Sequence, residues 1–346
     1  MIEVCEVFKP CRSVKRNVKM KKIKAGIIGG AGYTAGELIR LLINHPETEI
    51  DFVFSTSNAG NNISKVHQDL VGSLDLKFTD TVNPNVDVLF LCLGHGNSVK
   101  FLSSNTFSDN TKIIDLGNDF RLEADKVFNG KTFVYGLPEL QREDIKRAKY
   151  IANPGCFATA IQLGLLPLAD KGLLNNDVHI NAVTGATGAG TSLSATTHYT
   201  WRDNNFSYYK PFTHQHLGEI NQSVNQLQND FSSEIIFMPN RGNFSRGIFA
   251  TIYTDFEGSV EEAKAMYKAF YATAKFTFVS DDFLHMKQVV NTNKCLVHLH
   301  KHNGKLLITS VIDNLLKGAS GQAVQNMNLM FGLEETRGIQ LKATYF

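Results

Sequence analysis

Cys156 stands in the run Ala152-Asn153-Pro154-Gly155-Cys156-Phe157-Ala158-Thr159-Ala160. Pro154 and Gly155 break a strand-like stretch, and the Ala-, Leu- and Ile-rich residues 158–168 contain no breaker until Pro167. This pattern predicts a helix that starts at the cysteine. A thiol in the first helical turn meets unpaired N–H groups and the positive end of the dipole, both of which favour the nucleophilic thiolate. The competing reading is a small apolar residue packed at a domain seam.

Other residues able to do chemistry surround it in sequence. His214 and His216 precede a predicted helix. Two histidines at i, i+2 can hold a metal, but no cysteine or carboxylate cluster accompanies them, so no metal is expected. An acid/base serving the thiol is the sharper reading, and a surface pair the plainer one. Residues two apart point in different directions, so only one of the two is expected to face Cys156. Arg121 follows a predicted strand at 112–116 and can clamp an anion through two parallel hydrogen bonds, or serve as an ordinary surface ion pair. Arg241 and Arg246 flank a Gly-Asn turn within reach of an acidic substrate, and the glycine-rich loop at 184–192 can cradle an oxyanion.

These groups need a frame. Ile23–Ile28 is an apolar run leading into Gly29-Gly30-Ala31-Gly32-Tyr33-Thr34-Ala35-Gly36 and then a helical pattern. Strand, glycine turn and helix in that order let backbone approach a pyrophosphate and offer it helix N–H groups. The spacing is G-x-x-G-x-x-A on Gly29, Gly32 and Ala35 rather than G-x-G-x-x-G, and glycines also punctuate ordinary turns. The second strand, 49–54, ends in Ser55-Thr56-Ser57-Asn58 with no acidic residue. A carboxylate there would hold the ribose hydroxyls of NAD; hydroxyls and amides suit the 2′-phosphate of NADP, with Ser57 the chosen contact. The nearly continuous apolar run 86–93 reads as a central parallel strand. Beyond residue 178, strand-like runs at 178–183, 235–254, 294–300 and 306–312 alternate with one helix at 260–274, which predicts a mixed or antiparallel sheet.

The 346 residues, 43% hydrophobic and 20% charged, suffice for two domains. A net charge of +2 from 35 basic and 33 acidic residues, mixed along most of the chain, gives no field to attract nucleic acid or membrane, so a small molecule is the expected partner. Five scattered cysteines without paired spacing point to a reduced, cytoplasmic protein. Residues 1–19 are basic, with Glu3 and Glu6 arguing against a transit peptide, and are expected to form a disordered tail.

Gly-Tyr-Thr-Ala-Gly-Glu-Leu at 32–38, Asp-Phe-Arg at 119–121, Tyr-Gly-Leu-Pro-Glu-Leu at 135–140, Ala-Asn-Pro-Gly-Cys at 152–156 and Asp-Asn-Leu-Leu-Lys-Gly-Ala-Ser-Gly-Gln-Ala at 313–323 resemble signatures of the N-acetyl-γ-glutamyl-phosphate reductase family, from about Lys22 to the C-terminus. The resemblance implies an α/β fold: a Rossmann-type parallel-sheet domain, 20–155 completed by 317–346, and an inserted α+β catalytic and oligomerisation domain, 156–316. It implies NADPH-dependent reduction of an acyl phosphate to a semialdehyde in arginine biosynthesis, by a homo-oligomer (dimer or tetramer). Cys156 and His216 are the catalytic residues so implied. Substrate contacts are expected at Arg121, Asn153, His214 and Arg246, and cofactor contacts at Gly29, Gly32, Tyr33, Thr34, Ala35, Ser55, Ser57, Asn314 and Lys317. Two departures touch the site: the family's His-Arg-His and x-Pro-Glu-Ile appear here as His214-Gln215-His216 and Leu217-Gly218-Glu219-Ile220, and Thr191 takes a place that is often basic.

Three rival readings remain at this point. An aspartate-semialdehyde dehydrogenase shares the chemistry, but its cysteine and histidine sit in other local motifs. A reductase for a carrier-protein-linked aminoadipyl or glutamyl phosphate calls for a distinctive docking surface, which this nearly neutral chain lacks. A non-catalytic NADP-binding sensor has no need of a thiol at a helix start.

Overall fold

The computed structural model describes residues 21–346; the expected tail at 1–19 lies outside the described residues. The chain opens with β1 (Ile23–Ile28), the glycine turn and α1 (Tyr33–Leu42), then β2 (Thr48–Phe54), β3 (Phe78–Thr79), β4 (Val88–Leu91), α2 (Asn97–Ser104) and β5 (Lys112–Asp115). A small hairpin, β6 (Val127–Phe128) and β7 (Lys131–Thr132), precedes β8 (Val134–Tyr135), α3 (Pro138–Arg147) and β9 (Tyr150–Ala152). Seven of these strands form one sheet in the order β3-β2-β1-β4-β5-β9-β8. All its pairs are parallel. The four residues of β4 are all buried, as helical cover on both faces requires.

The remainder builds a second sheet. After α4 (Cys156–Asp170) come β10 (Val178–Thr184), α5 (Tyr199–Arg202), β11 (Ser207–Tyr208), α6 (His216–Leu227), β12 (Ile235–Arg241), β13 (Ile248–Asp255), α7 (Val260–Phe270), β14 (Thr277–Ser280), β15 (Cys295–His302) and β16 (Lys305–Ile312). The order is β11-β12-β10-β13-β16-β15-β14. Parallel and antiparallel pairs mix, as β10 with β12 and β10 with β13 illustrate. One face of this sheet packs on α4, α6 and α7 in a common core. The chain then returns to the first sheet: a π-turn, Leu316–Ser320, and α8 (Gly321–Met330) bury Leu316, Ala323, Val324 and Met327 in the core of that sheet.

Two boundaries differ from expectation. The helix expected over 260–274 ends at Phe270. Helix α4 does not stop at Pro167 but runs on to Asp170. A proline there removes the amide that would bond the Leu163 carbonyl. In the fold the Tyr271 hydroxyl donates to that carbonyl at 2.6 Å, and the Tyr267 hydroxyl donates to the neighbouring Gly164 carbonyl at 2.6 Å. Tertiary partners therefore satisfy what the local sequence leaves open.

Candidate active site

Cys156 is the first residue of α4, with Gly155 as its N-cap in extended backbone. It opens on a cleft of 650 Å³ between the two sheets, whose walls include Gly32, Tyr33, Thr34, His95, Arg121, His214, His216, Arg241 and Asn314. The cleft thus joins the glycine loop after β1 to the thiol. Both glycines beside Cys156 are there for want of a side chain. A Cβ on Gly155 would fall 2.6 Å from the His216 Cε1, and one on Gly318 would fall 2.7 Å from the Cys156 Cβ. Gly155 lets the imidazole sit against the nucleophile's loop, and Gly318 lets the π-turn press on the nucleophile.

Glu219, one turn along α6 from His216, organises this corner. It accepts from Arg121 Nη1 at 3.0 Å, the Tyr135 hydroxyl at 2.8 Å and the Gly155 amide at 2.9 Å. His216 Nε2 lies 3.9 Å from the same carboxylate, and its Nδ1 is buried without a partner. Burial, reinforced by Arg121, His95 and Lys210, holds His216 well below its ordinary value, so it is neutral. His214 accepts from the His216 amide at 3.2 Å, and burial together with His216 lowers its pKa to about 3. Burial also pushes the Cys156 thiol up to about 11, against the pull of the Phe157 amide and Arg121. This corrects the expectation of a resting thiolate: desolvation outweighs the helix start, and the free site holds a thiol beside a neutral imidazole.

The glycine loop accepts the phosphate reading. Gly32 caps α1, and a Cβ there would meet nothing nearer than 3.9 Å. The first-turn amides of α1 are therefore open to an anion. At the end of β2, Ser55 and Ser57 hydroxyls stand 3.5 Å apart, and Asn58 donates to both at 3.2 and 3.1 Å. This hydroxyl and amide cluster fits a 2′-phosphate.

Four expected contacts are corrected. Ala35 is fully buried in the core under α1. Asn153 is buried, donating to the Ala319 carbonyl at 3.1 Å and accepting from Asn326 at 3.1 Å. Lys317 is fully buried, its ammonium donating to Glu139, Gln322 and Gln325 at 2.9, 2.5 and 3.0 Å. Arg246 is engaged by Glu37 and Asp313 and does not line the cleft. Ala35 is out of reach by burial alone, and in the other three cases an internal partner takes the group the ligand would have used. Gly29, with φ 77°, turns the chain beneath the loop rather than lining the cleft, while Tyr33, Thr34 and Asn314 do line it.

Arg241, put forward from the sequence together with Arg246, and Lys210, which the sequence did not single out, complete the wall. Arg241 stacks 4.6 Å from the Tyr209 ring, and its Nε has no partner among the described residues. Lys210 and Phe212 hold left-handed backbone, with φ 45° and 61°. For a residue as bulky as phenylalanine such strain marks a constrained site. Of the two arginines flanking the Gly-Asn turn, it is Arg241 that reaches the cleft.

Comparisons with known proteins agree with this geometry. A family model for the semialdehyde dehydrogenase NAD binding domain matches residues 24–148, and one for the semialdehyde dehydrogenase dimerisation domain matches 156–314. The N-acetyl-gamma-glutamyl-phosphate reductase of Christiangramia forsetii is 67% identical over 324 residues, 94% of this chain and 100% of that protein. That of Bacteroides fragilis is 59% identical over 325 residues, again 94% and 100%. Among solved structures, aspartate semialdehyde dehydrogenase II from Vibrio cholerae, complexed with ASA, aligns with a TM-score of 0.69 at 15% identity over 90% of this chain and 99% of that one. The Candida albicans aspartate semialdehyde dehydrogenase with NADP gives 0.67 at 14%, over 90% and 99%. At such identity the structures share the two-sheet fold alone, whereas the relatives match over 94% of this chain and over their own full length. The chain belongs to the N-acetyl-γ-glutamyl-phosphate reductase family.

Proposed function

We propose that this chain catalyses the NADPH-dependent reduction of N-acetyl-L-glutamyl 5-phosphate to N-acetyl-L-glutamate 5-semialdehyde and phosphate, a step of arginine biosynthesis, through a thioester on Cys156. The observation that carries this reading is the placement of Cys156 at a helix start, against the neutral His216 and in the cleft that also contains the glycine loop.

His216 takes the proton from the Cys156 thiol as Sγ forms its bond to the acyl carbon. The bond from that carbon to the phosphate oxygen breaks, and the proton leaves with phosphate. The unpaired first-turn amides of α4 face the developing oxyanion, a contribution of about 3 kcal/mol for one such donor. The amides at Gly32–Thr34 and the hydroxyls of Ser55 and Ser57 would hold NADPH, which when bound would supply the hydride for the thioester carbonyl. A second proton, drawn from water and passed through His216, meets the resulting oxyanion. His216 removes it again as the carbon–sulfur bond breaks and returns it to the departing thiolate, so the thiol is regenerated. Arg241, whose Nε has no partner among the described residues, is the cation that faces the substrate's anionic groups, with His214 beside it. Arg121, expected to clamp the substrate, instead donates to the Asn153 and Leu116 carbonyls and to Glu219 and acts behind the site.

Residues 20–155 with 317–346 form the cofactor domain in this reading, and 156–316 the catalytic one. Its outer sheet face exposes Met238, Tyr253 and Phe278 at 37, 43 and 44%, which supports a homo-oligomer, dimer or tetramer. The reaction is assigned to the cytoplasm on the scattered cysteines, of which Cys92, Cys156 and Cys295 are unpaired. Among the described residues no helix is long and apolar enough to cross a membrane.

The test is phosphate-dependent reduction of NADP+ with N-acetylglutamate semialdehyde, set beside aspartate semialdehyde. The expected preference for the acetylated substrate is about a hundredfold or more. Equal or reversed preference contradicts the assignment.

A further inference from the structure

Arg246 lies outside the cleft but joins its two halves. Nη1 and Nη2 donate to the two oxygens of Glu37 at 2.7 and 3.0 Å. Nε and Nη2 donate to the two oxygens of Asp313 at 3.1 and 3.2 Å. Glu37 belongs to α1, directly after the glycine loop, and is also held by Arg40. Asp313 directly follows β16 of the second sheet and is fully buried. Its Oδ1 accepts from the amides of Leu315 and Leu316 at 2.8 and 3.1 Å, and its carbonyl accepts from Gly318 at 2.9 Å. Gly318 in turn presses on Cys156.

We propose that Arg246 is a positioning residue that ties the helix carrying the cofactor loop to the turn behind Cys156, so that NADP(H) binding and the setting of the nucleophile are coupled. The proposal rests on the reading that the cofactor phosphates bind at Gly32–Thr34. A guanidinium fork between two carboxylates has fixed geometry at both ends, which a lysine cannot reproduce. A hydrophobic contact would close the same seam without the cost of taking charges out of water, so what the ion pairs add is orientation. The link is reinforced by Ser320, at the end of the same turn, whose hydroxyl donates to the Thr34 carbonyl at 2.7 Å. Movement of α1 on loading its amides therefore has a rigid route to Gly318 and the thiol.

The experiment compares the full-length wild type with Arg246→Met, Arg246→Lys, Glu37→Gln and the double variant Glu37→Gln/Arg246→Met. NADP+ affinity is measured by calorimetry, kcat and KM are measured for each substrate, and Cys156 alkylation by iodoacetamide is timed with and without NADP+. In the wild type NADP+ changes the alkylation rate. In Arg246→Met that response disappears, NADP+ affinity falls, and kcat/KM for NADPH drops by about 10²-fold, while KM for the acyl phosphate moves by less than about twofold. Arg246→Lys recovers part of each, and the double variant is no worse than Arg246→Met, because both changes break one link. A change confined to KM of the acyl phosphate makes Arg246 a substrate contact and overturns the proposal. So does a change confined to melting temperature, or a wild-type thiol indifferent to NADP+. If Arg246→Met does not fold, Arg246→Lys and Glu37→Gln carry the same comparison. A wild type without turnover defeats the functional reading, whereas the binding and alkylation measurements still decide the role of Arg246.

Discussion

At the scale of single residues, Cys156 and His216 face each other uncharged. Because burial pushes the thiol up to about 11, iodoacetamide alkylation of the free protein is expected to climb about tenfold per pH unit between pH 7 and 10. A plateau already reached at neutral pH would mean a preformed thiolate and contradict the neutral pair. On the acid side His216 is depressed below its ordinary 6.5 by burial and by Arg121. The base therefore stays neutral further down the scale, and kcat/KM should hold below pH 6.5, falling only as His216 protonates. His216→Asn is expected to lower kcat by about 10²–10⁴ with a smaller effect on KM; if His214→Asn removes the pH-dependent rate instead, the roles are exchanged. At the end of β2, Ser57→Asp should weaken NADP+ binding by like-charge repulsion and leave NAD+ nearly unchanged, as calorimetry with both cofactors would report. Equal loss of both puts the 2′-phosphate elsewhere. The thiol, the histidines and the glycine loop were legible because each sits in a local pattern. Glu219 was not, since a carboxylate three residues past a histidine on a polar helix looks like any solvated side chain until Arg121, Tyr135 and Gly155 are folded onto it.

Elements explain why some single-residue readings went astray. Lys317 and Arg246 have the charge to meet phosphate, but whether they meet it depends on where the π-turn and the loop before β13 place them, which sequence spacing does not encode. The parallel strands were legible from short runs rich in apolar residues: β1 occupies the residues expected, and β2, β4 and β5 fall within two residues of the runs that signalled them. Helix α4 was legible at its start and not at its end, because the hydroxyl that covers the Leu163 carbonyl comes from Tyr271, 108 positions away. Tyr271→Phe should leave that buried carbonyl unpaired and destabilise the fold by about 1–3 kcal/mol, seen as a lower midpoint in urea with an unchanged slope. No shift in midpoint would mean that the helix tolerates Pro167 without help.

On the scale of the whole molecule, neither sheet holds a complete site. The first supplies the glycine loop and Arg121; the second supplies His214, His216 and Arg241; and Cys156 stands at the crossing, backed by a turn from the end of the chain. That arrangement suits a reaction in which an acyl group must be held covalently while a cofactor on the other side reduces it. The most direct test is to mix the protein with N-acetylglutamyl 5-phosphate in the absence of NADPH, quench in acid, and examine the peptide containing Cys156 by mass spectrometry. An N-acetylglutamyl adduct on Cys156, with one phosphate released per site, absent from Cys156→Ser and discharged to the semialdehyde when NADPH is added, is the predicted result. Turnover retained by Cys156→Ser above roughly a tenth of the wild-type rate, or full activity with no adduct on Cys156, would contradict it.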